Sequence, residues 1–119
     1  MIHQSGNVKL NLKSPHRRAF LRNQVIHLIT FGSLTSTKAN VKEVRRLAEK
    51  VITLARQGNH FNVRRQVKSL LPYKEEALKK LFFEIAPKYI YRPGGYTRII
   101  NLGQRVSDTA YVARLEWVQ

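Results

Sequence analysis

The chain contains no cysteine, and with it no disulfide, no thiolate metal ligand and no thiol nucleophile. That excludes the small secreted disulfide scaffolds and the zinc ribbons together, and it suits the cytosol or an organelle matrix. Acidic residues are scarce: seven stand against 22 Lys and Arg, leaving +15 on 119 residues and a pI near 10.9. A globule with that excess repels itself unless a polyanion neutralises it. Long apolar runs are missing too. Val25 to Phe31 is the longest and is broken by His27 and Thr30, far short of the roughly 20 residues that span a bilayer. Residues 1–12 hold no apolar run of signal-peptide length, so export is not expected. What the chain does have is 43% apolar residues, enough for one core in a length that suits one domain.

Residues 1–14 carry Gly6, Asn7, Asn11, Lys9 and Lys13 without sustained periodicity, and read as a basic N-terminal arm. Residues 15–119 read as a single globular α+β domain. Ser14-Pro15 is a helix-start signal, and Leu21, Val25, Leu28 and Ile29 mark the buried stripe of a helix over about 15–31. After Gly32, the polar and β-branched Ser33–Thr37 suits a brief strand. Thr37 then caps a second helix, whose Val41, Val44, Ala48, Val51 and Ala55 recur at alternating spacings of 3 and 4. Asn59 is placed to cap a third helix over about 60–70, stopped by Pro72, and Ala77, Leu78, Leu81, Phe82 and Ile85 predict a fourth that ends before Pro87. Beyond the Pro93-Gly94-Gly95 turn the period changes to two, with strands expected over Tyr96–Leu102 and Tyr111–Trp117. Four helices packed on a small mixed sheet are the expected architecture.

No convergent catalytic set emerges. Glu43, Glu49, Glu75, Glu76 and Glu84 sit on helices among Lys and Arg, where solvated ion pairs at i, i+3 or i+4 account for them. His3, His16, His27 and His60 lie far apart, with no metal-ligand spacing. Gly94-Gly95 lacks the Lys-Ser/Thr of a phosphate-binding loop and reads as a turn. Neither enzyme activity, metal nor cofactor is expected. Cations spread over several elements suit a broad, irregular polyanion. Tyr89, Tyr91 and Tyr96 flank the glycine turn, where packing is the ordinary role of such rings and stacking on an unpaired base the more specific one.

Several segments, in one register from about His3 to Val118, resemble a known family. They are His16-Arg17 with Arg22-Asn23, Lys42-Glu43-Val44-Arg45-Arg46, Ile52-Thr53-Leu54-Ala55-Arg56, Arg64-Arg65, Lys80-Leu81-Phe82 and, most specific, Gly94-Gly95-Tyr96-Thr97-Arg98-Ile99. In these the chain is similar to the bacterial-type large-subunit ribosomal protein seventeen. The resemblance implies an α+β structural protein on large-subunit ribosomal RNA, at the solvent side near the nascent-chain exit and beside other large-subunit proteins. It departs from the family at the front, where Ile2, Gln4, Asn7 and Leu12 stand at positions commonly cationic.

With the charge pattern, the resemblance marks RNA-contact candidates on each element. On the arm they are His3, Lys9 and Lys13; on the first helix His16, Arg17, Arg18, Arg22 and Asn23. Lys38, Lys42, Arg45 and Arg46 follow on the second helix, Arg64 and Arg65 on the third, and Arg92, Gly94, Gly95, Tyr96 and Arg98 at the turn. Tyr96 and Arg98 are expected on one strand face, ring beside guanidinium. The expected function is a structural constituent of the large ribosomal subunit, in the cytoplasm or an organelle matrix, with ribosomal RNA and neighbouring ribosomal proteins as partners. A nucleoid-type DNA binder would instead repeat its basic surface along a regular duplex, and a protein-binding adaptor would present an apolar groove.

Overall fold

The stripe predicted at the front becomes α1, Ser14–Phe31, in the computed structural model, which describes residues 14–71 and 75–118. The arm, with His3, Lys9 and Lys13, and the Pro72 stop lie outside the described residues. Gly32, at φ +84°, returns its N–H to the Leu28 carbonyl at 2.8 Å and turns the chain into β1, Ser33–Thr37. Thr37 is extended, and its hydroxyl accepts from the Asn40 N–H, starting α2 over Lys38–Ala55.

Helix α3 covers Phe61–Leu70, but its N-cap is His60, with no side-chain cap bond, rather than Asn59. Asn59 instead offers its side-chain oxygen and carbonyl to Arg64, at 3.1 and 3.4 Å. Helix α4, Glu75–Lys80, does not stop before Pro87; it widens into a π turn over Leu81–Ile85 and tightens into a 3₁₀ turn over Ala86–Tyr89. Pro87 explains the change. It has no N–H to give the Phe83 carbonyl four residues back and its ring crowds that carbonyl, so the Ala86 N–H reaches to Leu81 instead.

Strands β2, Thr97–Gln104, and β3, Tyr111–Trp117, form a hairpin, and β1 pairs with the other edge of β3. Both pairings are antiparallel, so the sheet is not the mixed one expected. The registers Leu34↔Leu115 and Ile99↔Leu115 pin the three strands to each other. A bulge at Leu102, relieved by Gly103 at φ +95°, shifts the hairpin by one residue.

Helix α2 crosses all three strands. Its Val41, Val44, Ala48, Val51 and Ile52 are fully buried and cover Ala113, Leu115 and Trp117 of β3. Val25, Leu28 and Ile29 of α1 and Leu81, Phe82 and Ile85 of the π turn complete one continuous core. Each large side chain enclosed there contributes about 1.5–3 kcal/mol. A buried polar tie crosses it, the Trp117 indole N–H donating to the Leu28 carbonyl at 3.3 Å, and at the surface Lys80 donates to the Thr30 carbonyl at the end of α1 at 2.8 Å.

Candidate nucleic-acid interface

Because the apolar stripe of α2 faces the sheet, its cations fall on the outside. Lys38, Lys42, Arg46 and Lys50 follow one another at intervals of four, in a single row along the helix. Like charges at that spacing destabilise a helix by about 0.2–0.5 kcal/mol per pair. The row therefore favours a bound anion. On one flank lies a groove of about 630 Å³, lined by Lys38, Lys42, Arg46 and the exposed Tyr111 at the start of β3. On the other, α1 contributes Arg17, Arg18 and Arg22 to a cleft of about 290 Å³ with Arg46 and Lys50, floored by Leu21, Leu47 and Leu70. The two hollows share Arg46 and Glu43 and make one basic tract.

Glu43 is 4% exposed, so the solvated pair expected of it is not found. It sits beneath the tract with Arg17 at 4.0 Å and Arg46 at 3.5 Å, and aims both guanidinium groups from below. Arg17 is accordingly only 18% exposed. Arg22 reaches across to the Ser69 carbonyl of α3 at 3.4 Å. His16 and Arg18 are exposed and Arg45 half-buried. Asn23 does not join its expected neighbours; it lines a separate hollow with His27, Phe31 and Lys80 between α1 and α4.

The glycine turn is held from α2 by Glu49, which is not the solvated local ion pair expected of it, and by Arg56. Glu49 accepts from the Tyr96 N–H at 3.3 Å, the Thr97 N–H at 2.8 Å and the Thr97 hydroxyl at 2.7 Å. Two helical turns on, Arg56 donates to the Arg92 carbonyl and, at 3.2 Å, to the Tyr96 hydroxyl. This grip corrects the expectation for Tyr96. Its ring is 2% exposed, 5.4 Å from that of Tyr89, and is removed from any surface on which a base could stack. It does not share a face with Arg98, because β2 begins only at Thr97 and residue 96 lies before the pleat.

Tyr89 is buried as well and donates to the Val118 carbonyl at 2.5 Å. Burial raises its hydroxyl above the usual phenol range, against the lowering effect of nearby Arg92. Tyr91 alone of these rings is outside, at 97% exposed. Gly94 and Gly95 adopt φ of +147° and +64°, with open space where a Cβ would project. Arg92 bonds the Gly94 carbonyl, and Arg98 pairs across the outer sheet face with Glu116 at 3.4 Å. The exposed Arg64 and Arg65 line a further hollow, between α3 and α4. The candidates thus divide among the α2 tract, the turn and the α3–α4 groove. Lys50, Tyr111, Glu43, Glu49 and Arg56 are additions from the structure, and only the four-residue interval of Lys38, Lys42, Arg46 and Lys50 was there to be read beforehand.

Against known proteins, the family model of ribosomal protein L17 matches residues 20–118. The chain belongs to the ribosomal protein L17 family. A protein named large ribosomal subunit protein bL17 from Desulforudis audaxviator is 50% identical over 113 residues, covering 95% of this chain and 99% of that relative. Its namesake in Clostridium kluyveri is 49% identical over 110 residues, covering 92% and 96%. That of Borrelia turicatae is 48% identical over 113 residues, covering 95% and 90%. Membership agrees with the family resemblance of the sequence, and the L17 family is one of structural proteins rather than enzymes. Among the described residues of this L17-family chain, no helix is long and apolar enough to cross a membrane.

Proposed function

We propose that this L17-family chain is a structural constituent of the large ribosomal subunit that binds its ribosomal RNA by charge neutralisation and shape, in the cytoplasm. The observation that carries this reading is the α2 tract, where a row of like charges is flanked on both sides by basic hollows and underpinned by a buried carboxylate. Each cation that meets a phosphate releases condensed counterion, and Arg can fork onto two phosphate oxygens. The remaining members of the contact set are His16, Arg17, Arg18 and Arg22 on α1, Arg64 and Arg65 on α3, and Arg92, Gly94, Gly95 and Arg98 at the turn. A position near the nascent-chain exit, beside other large-subunit proteins, rests on the family resemblance alone.

Lys42→Gln with Lys50→Gln tests the tract without disturbing the fold, since both side chains are exposed. The pair should reduce cosedimentation with large subunits through a sucrose gradient at moderate salt. It should also make the slope of log affinity against log salt shallower by roughly 1.5–2, from a wild-type slope of about −7 to −9 if about ten phosphates are engaged. A variant indistinguishable from wild type in both measurements removes the tract from the interface.

A further inference from the structure

Between α3 and α4 lies a groove of about 540 Å³ that combines an apolar floor, two exposed aromatic rings and a basic rim. Its floor is Leu78 and Phe82, both buried, and its rim carries the rings of Phe61, 69% exposed, and Phe83, 65% exposed. Two large aromatic rings exposed on one rim are not scattered surface apolarity. The phase of Phe83 belongs to the π turn ahead of Pro87, so the backbone irregularity and the exposed ring coincide.

Around the rings stand Arg64, Arg65, Lys68 and Lys79. Glu75, the acid on that rim, is taken up by Lys68 at 3.0 Å. Arg64 is braced by two bonds to Asn59, whereas Arg65 and Lys79 have no ion-pair partner among the described residues. An apolar partner helix pressed into this groove would desolvate those cations with nothing to compensate them. An unpaired nucleotide brings a π face for the rings and its own phosphates for the cations.

We infer that the α3–α4 groove seats one or more unstacked bases of a single-stranded RNA segment, with Phe61 and Phe83 as stacking platforms and Arg64, Arg65 and Lys79 on the flanking phosphates. This deepens the RNA-binding reading above and rests on it. The volume lies within the roughly 300–1,000 Å³ of hollows that enclose a small ring system. Recognition here is of base faces and is tolerant of sequence, unlike the phosphate-dominated α2 tract, which suits double- and single-stranded RNA alike.

The test compares two labelled RNAs by fluorescence anisotropy, a single-stranded adenylate oligomer of about ten nucleotides and a blunt duplex with the same number of phosphates. Phe61→Ala with Phe83→Ala should weaken single-strand binding about tenfold or more, at unchanged salt slope because no cation is removed, and leave duplex binding unaltered. Phe61→Tyr with Phe83→Trp should restore the single-strand affinity. Both rings are exposed, so the variants fold. Equal effects of the alanine pair on the two RNAs, including no effect on either, overturn the inference. So does unchanged single-strand affinity with loss of a neighbouring protein from large subunits carrying the variant, which assigns the groove to a protein. If the wild type binds neither RNA, the broader reading fails and takes this one with it.

Discussion

Glu49 turns both carboxylate oxygens on the chain just after the glycine turn, where they accept from two N–H groups and one hydroxyl. Charge-assisted bonds of this kind contribute roughly 1.5–3 kcal/mol, and the donors left behind are costly where Tyr96 and Thr97 are buried. Glu49→Ala is therefore expected to lower stability by about 2 kcal/mol, and Thr97→Val, which removes only the hydroxyl, by about 1 kcal/mol. Urea denaturation measures both, and equal losses would show that Glu49 does not hold the backbone. Asp108, at the hairpin tip, gives a pH signature. The Arg105 guanidinium, bonded at 2.7 and 3.1 Å, and the Ala110 N–H hold its carboxyl below the usual aspartate range. A folded-state pKa below the unfolded one means a contribution that is present above the ordinary aspartate range and fades as pH falls through the depressed value. The carboxyl resonance should titrate low in the wild type and move up towards the ordinary range in Arg105→Gln; an unmoved titration would place the cause elsewhere.

At the scale of elements, the glycine turn separates two roles that its sequence cannot. Gly95 sits at φ +64° with empty space beyond, so Ala there meets no neighbour but carries about 1–2 kcal/mol of left-handed strain. Asn tolerates that conformation better. Gly95→Asn should keep the melting temperature within a few degrees while reducing incorporation into large subunits, the result expected where a sugar-phosphate backbone runs against bare main chain. Normal incorporation would leave the glycines with the turn alone. The element bounds were legible because spacings of 3 and 4 report a buried stripe directly, as in Val41, Val44, Ala48 and Val51. What could not be read depended on partners distant in the chain. Glu43 and Glu49 look like local helix pairs until Arg17 arrives from α1 and Thr97 from a segment 48 residues on. Tyr96 looks like a strand residue beside Arg98 until Glu49, Arg56 and Tyr89 close over it. The antiparallel sheet was hidden likewise, since nothing within Ser33–Thr37 tells which strand it meets or in which direction. The α2 tract was half visible, its cations plain in the sequence and its flanking hollows products of packing.

For the molecule as a whole, +15 on 119 residues makes the free protein its own antagonist. Salt screens that repulsion, with a Debye length falling from about 30 Å at 0.01 M to about 3 Å at 1 M. The isolated chain should therefore melt several degrees higher in 0.5 M salt than at about 0.02 M, whereas its affinity for RNA falls steeply over the same range. Calorimetry on RNA-free protein checks the first trend, and a flat or falling melting temperature would show the charges to be balanced internally. The strand order β1-β3-β2 also has a consequence in time. During synthesis β1 emerges about 80 residues before the strand that pairs with it, an interval of roughly 4–16 s at ordinary elongation rates of about 5–20 residues per second. Throughout that wait both edges of β1 are unpaired, and β2 has no neighbour in the sheet until the same strand follows it. A long, greasy segment left open for seconds would recruit other chains. Ser33–Thr37 is five residues long, with Leu34 its single large apolar side chain, so the early strand is a poor template for other chains while it waits.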